Sequence, residues 1–88
     1  MNKEFIIECI DIIEQIELNS IIAITKDDEE LKYQVNCVNE YDYIEWELTC
    51  LDEENAIWDC NDTLEDIKEG LVCGAVRGMY QKIRLVLV

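Results

Sequence analysis

Apolar residues recur every third or fourth position at the start of this chain and every second position through its middle. In residues 3–18, Phe5, Ile6, Cys9, Ile10, Ile12, Ile13 and Ile16 fall on one arc at a period of 3.6, and Glu4, Glu8, Asp11 and Glu14 fall on the other. That spacing predicts an amphipathic helix. Its many β-branched residues are poor helix formers, so packing must support it. Residues 20–26 read as a first strand, and Asp27, Asp28, Glu29 and Glu30 as a charged turn. Residues 31–38 then alternate, with Leu31, Tyr33, Val35 and Cys37 on one face and Lys32, Gln34 and Asn36 on the other. Residues 43–51 alternate again: Ile44, Trp46, Leu48 and Cys50 against Glu45, Glu47 and Thr49. Such alternation predicts antiparallel strands buried on one side. Asp52, Glu53 and Glu54 begin the next turn, and residues 56–59 suit a short fourth strand.

A second helix is expected from about Thr63 to about Gln81, with Asp62 as its N-cap and Glu65 three positions on, as in a capping box. Leu64, Ile67, Leu71, Ala75 and Met79 share its apolar face. All three glycines, Gly70, Gly74 and Gly78, fall in this span at intervals of four, forming a ridge without side chains. Interior glycine costs about 1 kcal/mol relative to alanine. The ridge therefore predicts close packing, within the chain or in a helix–helix dimer seam. Residues 83–88 fit a helical turn or a strand; left bare they would be a sticky edge, so they must dock. With no proline, linker or repeat, residues 1–88 read as a single small domain. The expected class is α+β: an N-terminal amphipathic helix, a three- or four-stranded antiparallel sheet, and a C-terminal helix packed on the sheet.

Charge changes the picture. The 88 residues carry 21 Asp and Glu against 7 Lys and Arg with no His, a net charge of −14. The excess is uneven, at −17 over residues 1–67 and +3 over residues 68–88. Such a field repels nucleic acid and anionic membranes, and steers basic protein surfaces inward. Five cysteines at wide spacings, with acids interrupting any apolar leader, read as reduced and mostly buried thiols in a cytoplasmic protein. No apolar run approaches the ~20 residues of a membrane span.

Catalytic chemistry finds little support. There is no histidine, one serine and no glycine-rich phosphate loop, so no usual base activates a nucleophile. Catalytic residues are therefore expected to be none. The Asp27–Glu30 run lacks the alternation and glycine of a calcium loop, and no Cys-x-x-Cys pair suggests zinc. No metal or cofactor is expected. The acids offer more. Glu4, Glu8, Asp11 and Glu14 are spaced roughly 4.5–6 Å along one helical ridge, comparable with phosphates at ~3.4 Å of axial rise. Glu45 and Glu47 add charge on the open sheet face, and Asp27, Asp28, Glu29, Glu30, Asp52, Glu53 and Glu54 add two loop clusters. Tyr41 is the candidate exposed aromatic contact beside them, while Trp46 and Trp58 suit the core or its rim.

In size, charge and helix–sheet–helix layout the chain is similar to the small acidic inhibitors made by phages and mobile elements, among them anti-CRISPR proteins and antirestriction DNA mimics. The likeness rests on composition and layout alone, so no family site is carried over. It implies a non-enzymatic inhibitor that fills a basic nucleic-acid-binding groove with carboxylates in place of phosphates. The expected partner is a basic protein surface, with no direct contact to nucleic acid or membrane. Two other readings stand beside it: a structural or adaptor subunit self-associating through the glycine ridge or C-terminal tail, and an immunity protein for a basic toxin.

Overall fold

The computed structural model describes residues 2–40, 42–54 and 56–87. The elements run α1 (Lys3–Glu14), β1 (Ile21–Lys26), β2 (Glu29–Glu40), β3 (Tyr43–Cys50), β4 (Ile57–Asn61), α2 (Leu64–Val76) and β5 (Lys82–Val86). The strands form one sheet in the order β4-β3-β2-β1-β5, with every neighbouring pair antiparallel. This is the expected α+β layout with five strands instead of three or four. The extra strand is the C-terminal segment, which pairs with β1 from Ile21↔Val86 to Thr25↔Lys82.

Both helices cover one face of the sheet. Helix α1 packs against α2 and β5, and α2 against β3 and β4. Ile22, Val35, Leu48, Ile67 and Leu71 are fully buried between the layers. The described residues include no buried polar or charged side chain. None of their helices is long and apolar enough to cross a membrane.

Local chemistry moves several boundaries. Helix α1 is capped by Asn2, whose Oδ1 accepts from the Phe5 N–H at 3.2 Å. It ends at Glu14 rather than near 18, because a turn closes over Glu17–Ser20: the Ser20 N–H donates to the Glu17 carbonyl, and Ser20 Oγ accepts from the Glu17 N–H. The β1–β2 turn is only Asp27 and Asp28, with φ of 52° and 63°. Left-handed backbone at both central positions suits a two-residue hairpin, and Asp tolerates it. Glu29 and Glu30 are therefore the first residues of β2, not turn residues.

Helix α2 starts one residue later than the sequence suggests. Its N-cap is Thr63, whose Oγ1 accepts from the Asp66 N–H at 3.1 Å and donates to Asp66 Oδ2 at 2.8 Å. The reciprocal pair is thus Thr63–Asp66, in place of Asp62–Glu65. The helix ends at Val76, not near Gln81, through Gly78 at φ 69°. The Gly78 N–H donates to the Ala75 carbonyl and the Met79 N–H to the Gly74 carbonyl, satisfying two terminal carbonyls.

The three glycines therefore do not form one ridge. Gly70 makes room for the Asp59 carboxylate, and Gly74 for the Tyr80 ring, 3.1 Å from where a Cβ would stand. Both contacts lie within the chain. Gly78 lies beyond the helix in open space, and only its backbone demands glycine. Gly78→Ala is accordingly expected to cost about 1–2 kcal/mol, read as a lowered midpoint in denaturant melts.

Candidate functional site

The candidate acids divide by element. Glu4, Glu8, Asp11 and Glu14 are all exposed on α1, since its apolar arc is turned into the core through Cys9 and Ile13. Among the described residues none of them enters an ion pair; the two pairs formed are Glu65–Lys68 at 4.0 Å and Glu30–Arg84 at 2.7 Å. Lys3 is the only base on this helix. Lys68 of α2 reaches its C-terminal end, with Nζ donating to the Glu14 carbonyl at 3.4 Å, so the ridge sets four carboxylates beside two bases.

The two acidic turns lie at one end of the sheet. Asp52 Oδ2 accepts from the Lys32 N–H at 2.7 Å, which ties the β3–β4 turn to the start of β2. The first turn of α1 reaches the same end: Phe5 packs on Tyr80 with ring centres 6.3 Å apart, and the next residue, Gln81, donates its N–H to the Thr25 carbonyl. Glu4, Asp27, Asp28, Asp52, Glu53 and Glu54 therefore share one end of the molecule. Glu29 is exposed beside them, directly across the ladder from Lys26.

Glu30, Glu45 and Glu47 stand elsewhere. They project from the sheet face that the helices leave open, so the structure does not bring them together with the α1 ridge. Glu30 is held by Arg84 in a two-point contact, Nε at 3.0 Å and Nη2 at 2.7 Å, which keeps its carboxyl below the ordinary carboxylate range. Glu45 accepts from the Tyr43 hydroxyl at 2.9 Å. Its carboxylate raises the pKa of both Tyr43 and the Cys60 thiol by hydrogen bonding and by charge. Tyr41 lies outside the described residues.

Cysteine placement corrects the expectation of mostly buried thiols. Cys9 and Cys50 are buried; Cys37, Cys60 and Cys73 are exposed, and all five are unpaired. Cys37 and Cys50 share a sheet face, as the alternation implied, but Cys37 lies on the part of the β2–β3 hairpin that extends past β1. Among the described residues no three acidic or thiol side chains are grouped to hold a metal. A cleft of about 460 Å³ between α2 and β4 is lined by Tyr33, Trp58, Asp59, Cys73, Lys26 and Arg77, a mixed set of aromatic, charged and thiol groups.

Comparison with protein-family models, with curated proteins and with solved structures returns no match. The functional reading therefore rests on the geometry of this chain.

Sequence reasoning missed the basic cluster of Lys32, Lys82 and Arg84. The last two lie on β5 and face the same way as Lys32 on β2. Their signal was the alternation of Lys82, Ile83, Arg84 and Leu85, with Ile83 buried and both bases turned out.

Proposed function

We propose that this chain is a non-enzymatic inhibitor of the kind phages and mobile elements direct at host defences, acting by occupying a basic nucleic-acid-binding groove. One observation carries the reading: the carboxylates of Glu4, Glu8, Asp11 and Glu14 line an exposed helix and, among the described residues, none of them is held in an ion pair, with Lys3 and Lys68 the bases nearest to them. Carboxylates serving only solubility gain from interspersed bases, which reduce self-repulsion; between Glu4 and Glu14 this ridge has none. Arg and Lys of a phosphate-binding groove would supply charge-assisted hydrogen bonds and long-range steering. Asp27, Asp28 and the Asp52–Glu54 turn extend the acidic surface around the end of the sheet. Glu45 and Glu47, on the opposite sheet face, fall outside it. The cytoplasm suits such a role, since five unpaired cysteines stay reduced there. An immunity protein for a basic toxin would use the same physics, and target identity separates the two.

The test is capture from bacterial lysate with the tagged protein, followed by elution with excess duplex DNA. Release of a nucleic-acid enzyme by DNA, at a salt that leaves unrelated proteins bound, is the expected result. A captured protein that DNA does not displace, or capture of no basic protein, rejects phosphate mimicry.

A further inference from the structure

The open face of the sheet is divided by charge, and the division is set by register. Ile57, Thr49, Gln34, Ile21 and Val86 form one row across all five strands. On one side of this row stand Glu47, Glu45 and Tyr43, with Cys60 opposite Glu47 on β4. On the other side stand Lys32, Arg84 and Lys82, with Glu30 clamped by Arg84. The row between is largely uncharged, and Ile57 within it is half exposed. Three of the seven bases of a chain at −14 thus share one quadrant of the face that the helices leave bare.

From this arrangement we infer that the open sheet face binds a second copy of the same chain. Face-to-face pairing about a two-fold axis running diagonally between the charged quadrants places Glu45 and Glu47 of each copy against Lys32, Lys82 and Arg84 of the other. The two uncharged rows then cross at the centre of the contact. Such a contact is isologous, so each pairing occurs twice and the assembly closes at two copies. Five strands at about 4.8 Å and rows from Glu30 to Val38 span about 20–24 by 27 Å. That bounds the face at about 540–650 Å², below the ~800 Å² per partner of a standard interface, so the contact is a small one in which the charged quadrants decide the pairing. Like charges would meet in the parallel arrangement, so the charge pattern also fixes orientation. This goes beyond the inhibitor reading, because it uses the face opposite the α1 ridge and leaves that ridge free in both copies.

Sedimentation of the full chain and of two charge-swapped variants tests the inference, with circular dichroism confirming that each is folded. The wild type is expected to be a dimer in physiological salt. E45K/E47K alone and K32E/K82E alone are expected to be monomers, with self-association weakened at least tenfold. An equimolar mixture of the two variants is expected to restore a dimer, because each face then carries one sign opposite to the other. A monomeric wild type at the highest soluble concentration overturns the inference. So does a dimer that both variants leave unchanged, which would place the contact elsewhere. Stronger self-association of E45K/E47K also overturns it, since that variant only lowers the net charge and result would then follow bulk repulsion rather than the face.

Discussion

Tyr80→Ala is expected to cost about 3–5 kcal/mol, the range for removing a buried aromatic ring. A domain of this size holds roughly 4–13 kcal/mol in total at typical stability per residue. The variant should therefore lie near the edge of folding, with a sharply lowered midpoint in urea. The reason is position. Tyr80 is 2 % exposed and sits where three elements meet. Its ring lies edge-on to Phe5 of α1 and to Trp58 of β4, with centres 6.3 and 6.0 Å away, and covers Gly74 of α2. Its hydroxyl donates to the Leu71 carbonyl at 2.7 Å. Each edge-to-face pair adds about 0.5–1.5 kcal/mol beyond burial. Tyr80→Phe keeps the ring and loses only the hydrogen bond, so about 1 kcal/mol is expected.

Alkaline pH separates these terms. Burial raises the Tyr80 hydroxyl above its ordinary pKa of 10.0, with the neighbouring Cys9 thiol adding to the shift; burial also raises Tyr33 and Cys9. The folded state then keeps protons that the unfolded chain gives up. The stability these groups contribute is fully present below their unfolded pKa values and is lost as pH rises through the folded ones. Each contributes a slope of about 1.4 kcal/mol per pH unit in that window. In Tyr80→Phe the decline above pH 10 should be shallower by one group. An unchanged slope would mean that Tyr80 ionises in the folded state as it does in water.

Periodicity made most of the sheet legible. The 31–38 and 43–51 alternations located β2 and β3 because each has one buried face, and burial selects every second residue. The ends were less legible, because turns are decided by backbone details that composition only suggests. Asp27 and Asp28 take left-handed backbone, freeing Glu29 and Glu30 for the ladder. Gly78 stops α2 five residues short of Gln81, although the apolar spacing continues to Met79. Residues 83–88 were ambiguous because a short apolar run suits either element; pairing with β1, a non-local contact, decides for strand. The candidate acids were found by charge alone. Charge cannot say that Glu45 and Glu47 face away from the α1 ridge, since that depends on which sheet face the helices cover.

Reversing Glu4, Glu8 and Asp11 to lysine should weaken binding of the captured target by at least about a thousandfold, roughly 4 kcal/mol. Truncating one partner of a buried charge pair costs 2–5 kcal/mol, and reversal adds repulsion from the target's own cations. The fold should survive, because all three side chains are exposed and make no ion pair among the described residues. The expected structural loss is the helix-dipole term of Glu4 in the first turn, about 0.3–1 kcal/mol. Binding and stability are thus predicted to part company, which a merely destabilising substitution would not produce. E45K/E47K is the control: it changes net charge by two thirds as much and lies on the opposite sheet face, and the target is immobilised sparsely so that its loss of self-association does not enter the dissociation rate. If the steering field alone governed binding, both variants would slow association in proportion to charge. If the α1 ridge makes the contact, the triple variant alone should accelerate dissociation, while E45K/E47K retains the wild-type dissociation rate. Equal dissociation rates in all three proteins would remove the ridge from the interface.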